Sequence, residues 1–417
     1  MLNIKRSFMK IQLIATCLFG LEKFLGDEIT ALGLNRIDTM DGRVTFEGSL
    51  EDIARANINL RTAERVYIKL GSFPARTFEE LYEGTKALAL EDWIGPEDAF
   101  PVKGHSIKSM LTSIPDCQSI VKKAIVNKLK SIYGIEWFEE TGNKYQIEFF
   151  IYKDIATVMI DTSGTPLHKR GYRPDAGIAP LRETLAAAMV INARLNNDIL
   201  LWDPFCGSGT ILIEAAMMLS GRAPGLNRRF AAEKFESIPF DSWEKAREEA
   251  RKKINNDTDF VFYGSDIDPE CLEIARANAD RAGVAKHIKL FRMDARNIAD
   301  RKPADIRGTV ICNPPYGERM GDRAEVEKLY RDIGRAFPQL YPWQVYIITS
   351  CDCFEKLYGR RADKVRKLYN GMIPCNLYQY YKPASNDSEK HSNHKSGRQS
   401  KTFSNGYSKN RNKHDDK

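Results

Sequence analysis

Apolar residues recur along this chain with two different periods, and the texture changes near residue 165. Before that point, short runs at Ile11–Thr16, Arg43–Glu47, Arg65–Phe73, Lys144–Phe150 and Ile155–Asp161 predict strands. Between them, Leu21–Leu32, Leu50–Leu60, Thr77–Leu88 and Gln118–Ser131 repeat apolar residues at three and four, which predicts helices. Tyr145–Phe150 and Ala156–Ile160, split by Lys153-Asp154, predict a hairpin. Val102–Leu111 carries basic and polar residues and predicts an exposed strand and loop. Helices set between strands, with a late hairpin, predict small α+β domains.

After a basic linker, Leu167-His168-Lys169-Arg170-Gly171-Tyr172-Arg173-Pro174, a regular alternation begins. Helix Arg182–Ala193 leads to strand Ile199–Asp203 and helix Thr210–Leu219, then strand Val261–Ser265 and helix Asp268–Ala282. Strands Ile288–Met293 and Thr309–Cys312, helix Glu325–Phe337 and strand Gln344–Thr349 follow. Val365–Tyr369 and Cys375–Tyr381, joined through Asn370-Gly371, predict a closing antiparallel pair. Alternation on this scale predicts a doubly wound, mostly parallel sheet.

Composition adds limits. At 417 residues the chain exceeds one ordinary core, and 42% hydrophobic residues suffice for several. The formal charge, 63 − 56 = +7, is uneven: residues 384–417 hold eight Lys/Arg against four Asp/Glu. With Ala384, Phe403 and Tyr407 as its apolar residues, that segment is expected to be a disordered basic tail. It would either attract nucleic acid in a salt-sensitive way or merely aid solubility. The eight cysteines include no CxxC pair, and Cys351 and Cys353 lack a second pair, so no metal site is expected. Lys5 and Arg6 ahead of Ile11–Leu21 resemble a signal peptide, but Glu22 and Lys23 follow at once and no cleavage site does. No run reaches the ~18–20 apolar residues of a membrane span. A cytoplasmic protein without a membrane partner is the expectation.

The chemistry lies at the predicted strand ends. Asp203-Pro204-Phe205-Cys206-Gly207-Ser208-Gly209-Thr210 leaves the second-half sheet, and Gly207 and Gly209 let backbone pass close to a ligand. No GxGxxG and no phosphate-cradling lysine occur, which argues against dinucleotides and nucleoside triphosphates. An acidic Asp203 favours a cationic ligand, such as the ammonium group of S-adenosyl-L-methionine. Asp266, at the next strand end beside Ile267, is placed for ribose hydroxyls. Asp268, before Pro269, is expected to cap a helix. Asp294, beside Ala295, is placed for an adenine amino group. Each carboxylate alone would serve equally well in a turn or cap; three at successive strand ends point to a cofactor site. Asn313-Pro314-Pro315-Tyr316 then closes the fourth strand. The Asn313 side-chain oxygen and the Pro314 carbonyl would accept both hydrogens of an amine whose lone pair is delocalised, freeing that pair. The prolines fix the carbonyl direction, and Tyr316 offers a face for stacking a base. The plain alternative is an Asn-Pro turn.

These residues resemble the amino-methylating group of class I S-adenosylmethionine-dependent methyltransferases. With Gly317-Glu318-Arg319 and Ala179-Pro180-Leu181-Arg182-Glu183-Thr184 the chain resembles, over residues 10–383, the THUMP-containing RNA methyltransferases. Within these it is similar to the bacterial enzymes forming N2-methylguanine in 23S ribosomal RNA, as an unfused single-methyltransferase version. The resemblance implies a ferredoxin-like α+β region over 1–75, a THUMP region over 76–165 and a seven-stranded Rossmann-like methyltransferase domain over 166–383. It implies that Asp203, Phe205, Gly207, Gly209, Asp266, Ile267, Asp294, Ala295 and Asn313 hold the cofactor, and that Asn313, Pro314 and Tyr316 receive the amine. RNA is the implied partner, through the N-terminal half. Lys169, Arg170 and Arg173 of the linker are candidate RNA contacts.

One stretch exceeds a minimal fold. Between Asp203 and Asp266 lie 62 residues, where a βαβ unit needs about 30. The excess, roughly Gly221–Asp259 with Arg228 and Arg229, is expected to overhang the site and contact RNA. Competing acceptors are tRNA guanine, adenine N6 and a protein glutamine amide. A non-catalytic RNA-binding assembly factor is the reading from another class.

Overall fold

The computed structural model describes residues 10–174, 181–304, 306–316 and 323–382. The expected basic tail, residues 179–180 and Gly317-Glu318-Arg319 lie outside the described residues.

The first half is one sheet rather than two. Its strands are β1 (Ile11–Cys17), β2 (Asn35–Met40), β3 (Arg43–Gly48), β4 (Ala63–Pro74), β5 (Val102–Ile107), β6 (Ile147–Tyr152) and β7 (Ile155–Asp161), in the order β2-β3-β1-β4-β7-β6-β5. The long β4 pairs with β1 on one edge and β7 on the other, so the sheet runs through both α+β regions. Helices α1 (Glu22–Ala31), α2 (Leu50–Asn59), α3 (Phe78–Lys86) and α4 (Ile114–Tyr133) bury apolar stripes such as Leu25 and Ile29, Ile53 and Ile58, and Val121 and Ile125. Ser49 and Asp52 cap α2 reciprocally, Ser49 N donating to Asp52 at 2.8 Å and Asp52 N to Ser49 Oγ at 3.3 Å. Lys153 and Asp154, with φ of 50° and 62°, make the expected tight turn between β6 and β7. Strand β2 is exposed at every residue, and without an apolar alternation nothing in its sequence signals it.

The second half holds β8 (Leu200–Asp203), β9 (Phe262–Asp266), β10 (Ile288–Arg292), β11 (Gly308–Cys312), β12 (Gln344–Thr349), β13 (Lys364–Asn370) and β14 (Ile373–Tyr380). Their order is β10-β9-β8-β11-β12-β14-β13, parallel from β10 to β12, with β14 antiparallel to both neighbours. Strands β8 and β11 are buried at every residue, which is why they read as continuous apolar runs. Helices α5 (Glu183–Ala193), α6 (Thr210–Leu219), α7 (Ser242–Lys252), α8 (Pro269–Ala282), α9 (Arg323–Ala336) and α10 (Phe354–Tyr358) complete the layers. The strand order reverses between β8 and β11, the switch point at which such sheets bind ligands. Among the described residues no helix is long and apolar enough to cross a membrane.

The insertion within Gly221–Asp259 makes specific contacts outside the methyltransferase half. It packs against the N-terminal half: Gly225 N donates to Ile58 O of α2 at 2.9 Å, and Ala232 N to Thr162 O at 3.1 Å. A β-carbon on Gly225 would lie 2.7 Å from Ile58 Cα, so the approach needs glycine. Phe235 stacks on Tyr145 with ring centroids 4.2 Å apart, and Glu249 of α7 reaches Arg55 of α2 at 3.6 Å. The physical reason is the buried stripe Trp243, Ala246 and Ala250 on α7, which needs an apolar partner and meets α2.

Candidate functional site

Strand β8 delivers Asp203 to its carboxyl end at 2% exposure. Its Oδ1 accepts from Phe205 N at 3.1 Å, and among the described residues it enters no ion pair. Burial, helped by the nearby Asp266 charge, holds this carboxyl well above the usual carboxylate range. The turn that follows closes with Cys206 N donating to Ser265 O at 3.0 Å and Gly209 N to Cys206 O at 2.7 Å. Gly207 and Gly209 have φ of +49° and +80°, the left-handed region where a side chain is strained. Asn278 of α8 fixes the turn from behind, its Nδ2 donating to Ser208 O at 2.9 Å.

Asp266 ties two turns together. Its Oδ2 accepts from Gly207 N at 2.9 Å and its Oδ1 from Asp268 N at 3.1 Å. Ile267 beside it is 59% exposed, Phe205 is half-buried and Ala295 is buried. Asp268 caps α8 as expected, accepting from Glu270 N at 2.9 Å. Asp294 accepts from Arg296 N at 2.9 Å and from the Arg296 guanidinium. Those bonds, chiefly the side-chain one, hold the Asp294 carboxyl below its usual range. In this structure Asp294 is therefore engaged as a cap and ion-pair partner.

At the end of β11 the Tyr316 hydroxyl donates to Asn313 Oδ1. Burial, then Cys375, pushes the Tyr316 phenol well above its ordinary value. The segment is buttressed from α9: Tyr330 Oη donates to Pro315 O at 2.8 Å and lies 2.9 Å from Thr349 Oγ1 at the end of β12. Neither Tyr330 nor Thr349 was expected here. The available signal is a hydroxyl on the buried stripe Val326, Tyr330 and Ile333, which must find a partner.

The cationic candidates divide sharply. Arg170 is buried; its Nη1 donates to Leu167 O at 2.8 Å, and its Nε and Nη2 lie 3.3 and 3.4 Å from the Glu214 carboxylate. Tyr172 Oη donates to the same carboxylate at 3.2 Å. Arg173 bridges Glu183 Oε1 and Thr210 Oγ1, each at 3.0 Å. Arg228 Nη1 donates to Pro166 O at 2.8 Å and Lys169 O at 3.0 Å, and its Nη2 to Thr165 O. The expectation that Arg170, Arg173 and Arg228 face RNA is corrected on this point. A forked guanidinium satisfies buried carbonyls and carboxylates that the joint between the two halves would otherwise strand. Lys169 is exposed, and the Arg229 side chain is 89% exposed with a partner in Glu233 at 2.9 Å. Glu183 is buried, and its Oε2 has no hydrogen-bond partner among the described residues. Among those residues no cluster of side chains could hold a metal ion.

Residues 170–379 match the family described as RMKL-like, methyltransferase domain. Residues 12–67 match the RlmL ferredoxin-like domain, and residues 75–161 the THUMP domain. The chain is 46% identical over 375 residues to "Putative RNA methyltransferase YpsC" of Bacillus subtilis, covering 89% of this chain and 96% of that protein. It is 34% identical over 372 residues to "Ribosomal RNA large subunit methyltransferase K/L" of Psychromonas ingrahamii, covering 87% of this chain and 49% of that protein. The chain thus spans about half the length of that K/L relative. Among solved structures, "a predicted N6-adenine-specific DNA methylase" from Listeria monocytogenes superposes with a TM-score of 0.85 at 45% identity, covering 91% of this chain and 98% of that one. "SMU.472, a putative methyltransferase complexed with SAH" gives a TM-score of 0.83 at 42% identity, covering 90% and 99%.

Proposed function

Because this chain belongs to the RMKL-like methyltransferase family, we propose that it methylates the exocyclic N2 amine of a guanine in RNA, with 23S ribosomal RNA the preferred acceptor and tRNA the next. The observation that carries amine methylation is Asn313–Tyr316 at the carboxyl end of β11, adjacent in the sheet to β8 and Asp203, while guanine over adenine rests on the family resemblance.

S-adenosyl-L-methionine, when bound, supplies an electrophilic methyl group. The residues present fit it. Asp203 is a buried carboxylate that, among the described residues, enters no ion pair, and it would take the ligand's ammonium. The positive-φ glycines Gly207 and Gly209 clear a path for backbone to approach it. Asp266 keeps lone pairs beyond its two backbone partners for ribose hydroxyls. Phe205, Ile267 and Ala295 would supply apolar surface for the adenine ring, and Asp294 would have to share its carboxylate between Arg296 and the adenine amine.

The acceptor amine would give its two hydrogens to Asn313 Oδ1 and the Pro314 carbonyl, which favours a pyramidal nitrogen. Tyr330 holds the following carbonyl, Pro315 O, so the two prolines cannot drift. Positioning and electrostatics carry the rate, without a base of altered pKa before attack. The THUMP segment supports RNA over DNA or protein as the acceptor. Adenine N6 is the second reading, because the same clamp serves it and the Listeria protein carries that description.

The deciding experiment incubates purified protein and methyl-labelled cofactor with unmodified ribosomal RNA and tRNA, then digests each to nucleosides. Label in N2-methylguanosine from ribosomal RNA is the expected result. Label in N6-methyladenosine would replace the guanine reading by the adenine one.

A further inference from the structure

Where the linker crosses the methyltransferase half lies a cavity of about 80 Å³, walled by the linker and the ends of α6 and α8. Arg170, Arg222 and Arg281 line it, and no Asp or Glu does. Asn278 stands between this cavity and the glycine turn. Arg281 Nη2 donates to Asn278 Oδ1 at 2.5 Å, and Asn278 Nδ2 donates to Ser208 O at 2.9 Å. The cavity is therefore separate from the site proposed for S-adenosyl-L-methionine.

Its positive charge is not balanced. Glu214 lies 3.3 Å from Arg170, and Tyr172 shares that carboxylate. Arg222 and Arg281 enter no ion pair among the described residues and serve backbone carbonyls instead. Arg281 Nε donates to Tyr172 O at 2.8 Å, and Arg222 Nη2 reaches Gly283 O at 3.4 Å. That leaves Arg222 Nε, which is buried and has no hydrogen-bond partner among the described residues. Arg61 adds a guanidinium from the N-terminal half: its Nη2 donates to Met217 O at 3.4 Å, and its Nη1 is likewise buried without a partner. Glu28, beside Arg61, already accepts from the backbone N–H groups of Arg61 and Thr62. Crowded cations that repel one another and keep buried N–H groups unused are stabilised by an anion.

We propose that this cavity binds a phosphate group. Its volume is several times the roughly 10–15 Å³ that admits one water, and far below the roughly 300–1,000 Å³ of sites for whole small molecules. A base or a sugar is too large, and a single tetrahedral oxyanion is the right size. Guanidinium groups present forked donors that suit oxyanions. A carboxylate offers two oxygens in one plane, whereas phosphate offers oxygens in several directions and can meet Arg222, Arg281 and Asn227 together. Asn227 and Arg281 are exposed, which gives the ion a way in. Arg170, whose donors are taken by Leu167 O and Glu214, contributes charge from behind.

The test dialyses the full chain against radiolabelled inorganic phosphate, with chloride holding the ionic strength constant. Saturable binding of one phosphate per chain is the expected result. Asn227→Asp sets a carboxylate at the exposed rim and should weaken binding at least about tenfold. Arg222→Gln removes the unused Nε and a charge, and should weaken it as much. Unfolding midpoints without phosphate report whether each variant is folded, and Asn227→Asp decides alone if Arg222→Gln is not. Free phosphate and a phosphate of an RNA chain share this chemistry. Displacement of the label by unmodified ribosomal RNA, but not by nucleosides, assigns the site to the RNA chain; label retained in excess RNA assigns it to the free ion. Either result supports the site. Absence of saturable binding, or equal binding by the unaltered chain and Asn227→Asp, overturns it.

Discussion

The Tyr316 hydroxyl donates to Asn313 Oδ1, the oxygen assigned to the acceptor amine. One lone pair of the clamp oxygen is therefore taken in this structure, and an amine must use the other or displace the phenol. Tyr316→Phe removes the competitor but keeps the ring. Its kcat should stay within about tenfold of the parent, with a KM for RNA no higher. Asn313→Ala removes the acceptor oxygen itself and should lower kcat by about 10²–10³, the scale of losing one preorganised polar contact. Single-turnover methylation of ribosomal RNA by both variants decides this. Equal inactivity of the two would show that the hydroxyl, not only the amide, does chemistry.

Asp203 predicts a pH dependence of cofactor affinity. Burial, with a smaller push from Asp266, holds its carboxyl above the usual value near ~3.9. A bound ammonium favours the ionised form. Below the raised value, binding must therefore expel a proton, so affinity falls as pH drops through the window between that value and the lower one the carboxyl takes in the complex. Above the window it levels off. Calorimetry with S-adenosylhomocysteine, in buffers of different ionisation enthalpy, should detect proton release in that window. Asp203→Asn should bind weakly and show no such release.

The strands and turns that carry the candidate site were legible because their markers are local. Leu200–Asp203 and Thr309–Cys312 are fully buried strands, and buried parallel strands announce themselves as apolar runs ending in a turn. The helix Thr210–Leu219 and the strand Gln344–Thr349 fall where periodicity places them. What could not be read was pairing at long range. Arg170 and Glu214 are 44 residues apart, and a basic linker reads the same whether its arginines face phosphate or a buried carboxylate. Strand β2 is exposed throughout, so tertiary pairing with β3, not its own pattern, makes it a strand. Asp294 shows a further limit: a strand-end carboxylate can be a cap and a ligand site at once, and sequence cannot rank the two.

The Arg170–Glu214 pair should matter to stability, not to RNA affinity. Both side chains are buried, at 2% and 0% exposure, and Tyr172 adds a third polar group to the same pocket. Arg170→Ala leaves a buried carboxylate without its cation, which costs about 3–5 kcal/mol. Arg170→Met/Glu214→Leu removes both charges and should recover most of that loss. Urea denaturation of the two variants provides the comparison. Arg229→Ala, with a side chain 89% exposed, should leave the midpoint unchanged. An Arg170→Ala protein of normal stability but weakened RNA binding would restore the surface role that burial argues against.

Tyr330 links three elements, and that makes a separable prediction. Its hydroxyl donates to Pro315 O and lies within hydrogen-bond distance of Thr349, whose Oγ1 also accepts from Cys351 N at 3.1 Å. Tyr330→Phe loses the bond to the Pro-Pro segment, about 0.5–1.5 kcal/mol in stability. On the proposed clamp, Asn313 and the Pro314 carbonyl act together on the amine, so the same change should lower kcat by about three- to tenfold at an unchanged KM. Thr349→Val leaves the Tyr330–Pro315 bond intact and should lower stability by a similar amount while sparing kcat. Measuring unfolding and steady-state methylation on both variants separates buttressing from bulk stability. If Thr349→Val slows methylation as much as Tyr330→Phe does, the Pro315 carbonyl is not what the tyrosine contributes.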